Sequence, residues 1–290
     1  MGDGGRLVVR RLPPRATAGV LVLPGGREHG LRRPALLDLA ALRMRPFVTA
    51  LAAATRDLPI ALAEARYRHR GWNGERADAA RDAVAAVGEL SRLTGGGPVV
   101  LVGHSMGARA ALRAAGAWGV NEAAGGAAGA AGRTGGPAVA VGEPAGPQDG
   151  AGGGPAGGEP RGPAGAGTVA GVVALGTWWP TGEPVGGLAG VRLVFVHALA
   201  DRVTAPDESM QAAVQARAAG AQVCRYELAG GDHGMLRHAA LWHALTTRTV
   251  CALLGLAVTA PEVASAFALP PGSADGLALP AETAVPRVRG

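Results

Sequence analysis

Val99-Val100-Leu101-Val102-Gly103-His104-Ser105-Met106-Gly107-Ala108-Arg109-Ala110-Ala111-Leu112 is the stretch on which the reading of this chain turns. Its first four residues are apolar and mostly β-branched, as a strand buried on both faces requires. Ala108 to Leu112 has the small residues and spacing of a helix. Between them stands G-x-S-x-G, which in a glycine-rich chain can be no more than a turn serine or a helix N-cap. Flanked by a strand and a helix, it reads as a nucleophile elbow. The sharp turn exposes the Ser105 hydroxyl above the strand end, while Gly103 and Gly107 leave room for strand and helix to approach.

Outward from the elbow, short apolar runs bounded by Gly or Pro recur and alternate with helical patterns. Strands are predicted over 7–9, 18–23, 60–65, 99–102, 169–175, 191–196 and 222–228. Helices are predicted over 46–54, 75–93, 106–115, 207–219 and 235–256. This alternation predicts an α/β architecture, a mostly parallel sheet of about seven strands flanked by helices. Residues 1–258 are expected to form one domain, interrupted at about 116–167 by a Gly/Ala/Pro-rich insertion without periodicity, expected to be disordered. The proline-punctuated tail, 259–290, is expected to be loose, with 263–269 able to dock on the surface.

The basic residues are all arginine, and 28 of them against 22 acidic residues leave a formal charge of +6. Clustered positive charge marks nucleic-acid or anionic-membrane binding, because it releases counterions from phosphates. Here the arginines are scattered. The densest group, Arg66, Arg68, Arg70 and Arg76, is interrupted by Tyr67, His69 and Trp72 and reads as a solvated rim, so no nucleic-acid partner is expected. Cys224 and Cys251 offer neither a disulfide framework nor a metal-ligand spacing. No stretch approaches the ~18 apolar residues of a membrane span, and 1–11 has no signal-peptide core. A cytoplasmic chain without metal or organic cofactor is expected.

A serine hydroxyl becomes a useful nucleophile when a base takes its proton, a task suited to imidazole near neutral pH. Seven histidines compete. His104 lies inside the elbow and must point elsewhere, His29 and His69 fall in predicted loops, and His238 and His243 fall in the last predicted helix. His197 ends a strand and reads as a packing or supporting residue. His233, in Gly230-Gly231-Asp232-His233-Gly234, lies on a flexible loop after the last predicted strand and is expected within hydrogen-bond reach of Ser105. The acid that orients it is expected at Asp201, just after the 191–196 strand, with Asp207 as the alternative.

These motifs, in this order, resemble the α/β-hydrolase superfamily, and in particular its small, nearly capless bacterial members such as dienelactone hydrolases and short-chain carboxylesterases. The resemblance covers roughly 6–256, less the insertion. It implies an oxyanion hole built from the backbone amides of Met106 and of Leu23-Pro24-Gly25-Gly26, with Gly26 preferred over Gly25. It implies hydrolysis of a carboxylic ester or related acyl bond of a small-molecule substrate, through an acyl-enzyme intermediate. Acyl transfer, small-peptide hydrolysis, perhydrolysis and a non-catalytic binding role are the alternatives on the same fold. The chain departs from the family in its reduced first strand and in the short connection 176–190, where larger relatives carry a lid, so an open site is expected. Trp178 and Trp179 then become candidates for the substrate pocket wall, with Trp72 as a weaker one.

Overall fold

Alternate residues of single strands enter two different cores, which is why the central strands are apolar along most of their length. The computed structural model describes residues 6–35, 38–129 and 168–280. Its strands are β1 (Leu7–Arg11), β2 (Ala18–Leu23), β3 (Ile60–Ala65), β4 (Val99–His104), β5 (Val169–Leu175), β6 (Arg192–Ala198), β7 (Gln222–Leu228) and β8 (Leu277–Leu279). They form one eight-stranded sheet in the order β1-β3-β2-β4-β5-β6-β7-β8. Only the edge strand β1 runs antiparallel to its neighbour. Helices α1 (Leu39–Ala54), α2 (Asp78–Leu93), α3 (Met106–Gly129), α4 (Pro206–Ala218), α5 (Ala239–Leu253) and α6 (Pro261–Phe267) cover its faces.

Leu21, Leu101, Ala174 and Phe195 belong to the core beneath α2, α3 and α4, while Val20, Val100, Val173 and Val194 belong to the core beneath α1, α5 and α6. The helix that follows the elbow lies close against the sheet because its inner face is small: Ala108, Ala110, Ala111, Ala114 and Ala115 are fully buried. A methyl group on Gly107 would collide with the carbonyl oxygens of Leu23 and Pro24. One on Gly103 would lie 2.6 Å from Ala108 Cα. Both glycines of the motif are therefore required by backbone packing.

Three sequence expectations need correction. First, α3 does not end at Ala115 but continues to Gly129, with Trp118 buried. Gly116 reads in sequence as a breaker, yet a methyl group there would fall on the Gly186 carbonyl oxygen, so its glycine serves a close approach. The rest of the expected insertion, 130–167, lies outside the described residues. Second, α1 begins at Leu39 and carries Pro46 in its interior, at an exposed position. Asp38 sets the true start, its carboxylate accepting from Ala40 N–H at 2.9 Å.

Third, the tail is not loose over 261–279. Helix α6 and Leu269 pack on the second core, and β8 adds in parallel to β7. Between them Arg217 donates to the Ser273 carbonyl and Arg225 to that of Ala274 at 2.8 Å. Buried guanidinium groups thus tie down a segment whose prolines suggest freedom. Among the described residues no helix is long and apolar enough to cross a membrane.

Candidate active site

Ser105 stands directly after β4 with φ 55, in the left-handed region that side chains other than glycine enter at a cost of about 1–3 kcal/mol. Its amide donates to the Leu175 carbonyl at 2.9 Å, which docks the turn on β5, and its carbonyl accepts from Ala108 and Arg109, which starts α3. The nucleophile position of the motif is thus held by backbone bonds on both sides. Ser105 is 9% exposed.

His233 follows β7 on the Gly230–Gly234 loop and lies over the same end of the sheet. Its ring centroid is 4.7 Å from that of His104, the residue before Ser105. Its Nδ1 lies 2.8 Å from Asp201 Oδ2. The structure therefore brings His233 and Asp201 together and sets both beside the elbow, with no hydrogen bond drawn between Ser105 Oγ and His233 among the described residues. Asp207, the alternative acid, sits exposed in the first turn of α4.

Asp201 is buried, which alone would raise its pKa, but hydrogen bonds from His197, His233 and Val203 N–H outweigh that and hold it well below the usual carboxylate range. It is ionised at neutral pH. An ionised Asp201 is the acceptor for a proton on His233 Nδ1. Thr204 completes the network: its Oγ1 is 3.1 Å from both Asp201 Oδ2 and His233 Nδ1 and 3.3 Å from the Gly176 carbonyl. His197 Nε2 lies 3.2 Å from Asp201 Oδ2 and from the Thr204 carbonyl, the supporting place expected of it. Thr204 escapes a reading that looks only for acids and bases. Its signal is the Asp-x-x-Thr turn, in which Asp201 Oδ1 accepts from Val203 N–H at 2.8 Å and Thr204 N–H at 3.1 Å.

His104 Nε2 donates to the His233 carbonyl at 2.9 Å. Burial pushes its pKa down to about 3, so the ring is neutral and its Nδ1 has no partner. That nitrogen faces Gly25. A methyl group on Gly25 would lie 3.2 Å from His104 Nδ1 and 3.5 Å from Ser105 Cβ, and one on Gly26 would collide with the Met106 side chain. Both candidate oxyanion glycines therefore sit against the elbow. Met106 opens α3, so its N–H has no carbonyl one turn back to bond and lies at the positive end of the helix dipole.

The three tryptophans part company. Trp179 is buried 2% exposed against α4, with its backbone N–H on Glu208 at 2.8 Å and its indole N–H on Gln215 at 3.0 Å. It is a core residue, which corrects its expected place in the pocket. Trp178, half-buried, meets Trp72 edge to face at 6.3 Å, and the Arg109 guanidinium lies 3.7 Å from the Trp72 ring centre and 4.5 Å from that of Trp178. Glu183 pairs with Arg109 and, at 3.3 Å, with Arg113. Arg109 is one helical turn beyond Ser105, so this cage flanks the elbow. Among the described residues no group of three or more His, Cys, Asp or Glu is placed to hold a metal ion.

No protein-family model and no curated protein matches the sequence. Solved structures do match in fold. One is a truncated carbohydrate esterase from gut microbiota, with TM-score 0.54, 14% identity and 86% of this chain on 90% of that one. Another is an alpha/beta hydrolase-like protein of unknown function from Agrobacterium tumefaciens, with TM-score 0.53, 11% identity and 88% of this chain on 94% of that one. A third is a thermophilic esterase from Thermogutta terrifontis with butyrate bound, with TM-score 0.51, 15% identity and 88% of this chain on 91% of that one. The fold is that of the α/β hydrolases.

Proposed function

We propose that this chain of α/β-hydrolase fold is a serine hydrolase that cleaves a carboxylic ester or related acyl bond, with Ser105 as nucleophile, His233 as base and Asp201 as the orienting acid. The observation that carries the reading is the ionised Asp201 bonded to His233 Nδ1 beside a serine held at φ 55. Nε2 of His233 takes the Ser105 proton as Oγ attacks the acyl carbon. The carbonyl oxygen becomes an oxyanion held by the N–H of Met106 and that of Gly26 or Gly25. Collapse of the tetrahedral intermediate breaks the bond to the leaving group, which takes the proton from His233. Water then attacks the acyl-serine with His233 again as base, and the acid product leaves. Esterases among the structural neighbours, one holding butyrate, support an ester of short acyl chain as the first substrate to try.

Kinetics on a p-nitrophenyl acyl ester test this. Ser105→Ala and His233→Ala are each expected to remove the acyl-enzyme burst and to lower turnover at least ~10³-fold, and the double variant to cost little more than either. Asp201→Asn is expected to be similar or milder, since it disturbs the histidine's tautomer and leaves base and nucleophile in place. Full activity in Ser105→Ala, or losses that add in the double variant, would contradict the mechanism.

A further inference from the structure

The loop that faces Ser105 also lines a large cleft. Pro24, Gly25 and Gly26 line a volume of about 640 Å³ together with Val8 and Arg10 of the edge strand β1, within the size range of small-molecule sites. Six arginines line it: Arg6, Arg10, Arg33, Arg66, Arg68 and Arg70, against the carboxylates of Asp38 and Glu64.

Part of this charge is already neutralised. Arg10 pairs with Glu64 at 2.7 Å, and Arg6 and Arg68 share Asp82 at 2.9 and 2.7 Å. Arg33, Arg66 and Arg70 have no ion-pair partner among the described residues, and even with Asp38 and Asp82 counted the lining is positive. Three positions that alternate along the chain, Arg66, Arg68 and Arg70, all reach this one cleft. Tyr67, between them, is buried and donates to the Pro24 carbonyl at 3.1 Å, which couples the arginine segment to the oxyanion loop. Of the arginine group read in sequence as a solvated rim, Arg66, Arg68 and Arg70 stay partly or largely solvated and line this cleft, whereas Arg76 lies apart on Asp78.

We infer that this cleft binds the oxyanion groups of the substrate, so that the preferred acyl substrate is anionic, bearing carboxylate or phosphate at a distance from the scissile bond. Guanidinium forks bind either group bidentately, and a concave wall of net positive charge concentrates anionic ligand. The inference rests on the serine-hydrolase reading for the reaction, but not for the binding.

The test therefore has two arms. In the binding arm, calorimetry on the full-length Ser105→Ala chain measures inorganic pyrophosphate and citrate, which separate a phosphate site from a carboxylate site. Binding of either, weakened by 0.5 M sodium chloride and lost in Arg33→Gln/Arg66→Gln/Arg70→Gln, is expected. In the kinetic arm, kcat/KM is compared between p-nitrophenyl butyrate and the p-nitrophenyl half-ester of glutaric acid. The anionic ester is expected to be preferred roughly 10- to 100-fold, as one or two charge-assisted hydrogen bonds allow. The preference is expected to collapse in the triple variant and to survive in part when the same positions are Lys, which keeps charge without the fork. A wild-type preference that falls with salt needs no variant to fold. Equal kcat/KM for the two esters together with no binding of either anion would overturn the inference. Anion binding without ester turnover would instead sink the hydrolase reading and leave the anion site standing.

Discussion

Protonating His104 inside the protein is costly, and that cost is measurable. Its pKa falls from 6.5 to about 3 on folding because burial disfavours the imidazolium. The unfolded chain therefore binds a proton below pH 6.5 that the folded chain refuses until about pH 3. Stability contributed by this group is complete above pH 6.5 and falls as pH drops through that window. The slope is about 1.4 kcal/mol per pH unit, or about 2 kcal/mol between pH 6.5 and 5. Asp201 acts at lower pH, because its depressed pKa supports folding above the normal carboxylate range and is lost only on strong acidification. Urea unfolding at pH 6.5 and 5 is expected to show the His104 loss in the wild type and its absence in His104→Gln. A pH dependence unchanged by that substitution would show that another group carries it. Such roles are not legible in sequence. Ser105, His233 and Asp201 can be picked out because motif and loop position mark them, whereas the bonds of His104 and Thr204 exist only once β4, β6 and β7 are assembled in one parallel sheet.

Among the elements, the strands read almost directly from sequence because burial on both faces makes them continuous apolar runs. The helix bounds and the tail do not. Gly116 looks like a breaker and Pro46 like a helix start locally, but packing against Gly186 and capping by Asp38 decide where those helices run. The tail shows the same conflict between local composition and distant partners. Its apolar residues Val263, Phe267, Leu277 and Leu279 find the second core, and the loop before β8 accepts hydrogen bonds from Arg217 and Arg225. Truncation after Val258 strips these and leaves β7 as an open edge. It is expected to cost on the order of 3 kcal/mol or more. That corresponds to a fall in Tm of at least ~6 °C by calorimetry. An unchanged Tm would show that α6 and β8 are dispensable.

For the molecule as a whole, an elbow at the centre of a parallel sheet dictates where everything else must come. The ends of parallel strands deliver Gly25 and Gly26 from β2 and Trp178 from β5, the neighbours of β4, and Asp201 and His233 from β6 and β7 further along the same sheet. The class of fold is legible because strand and helix periods alternate along the chain. The arginine-lined cleft is not, because its charges come from the first strand, the segment after β3 and the 24–35 loop, which the antiparallel edge and the backbone bonds of Arg27 and Arg70 bring together. The proposed reaction requires Ser105 to be the activated nucleophile. Intact-mass and peptide mass spectrometry after brief exposure to a fluorophosphonate measures this directly. One adduct per chain is expected, on the peptide holding Ser105, absent in Ser105→Ala and slowed at least ~10²-fold in His233→Ala. An unlabelled Ser105 in a chain that still turns over ester, or labelling equally fast without His233, would contradict it.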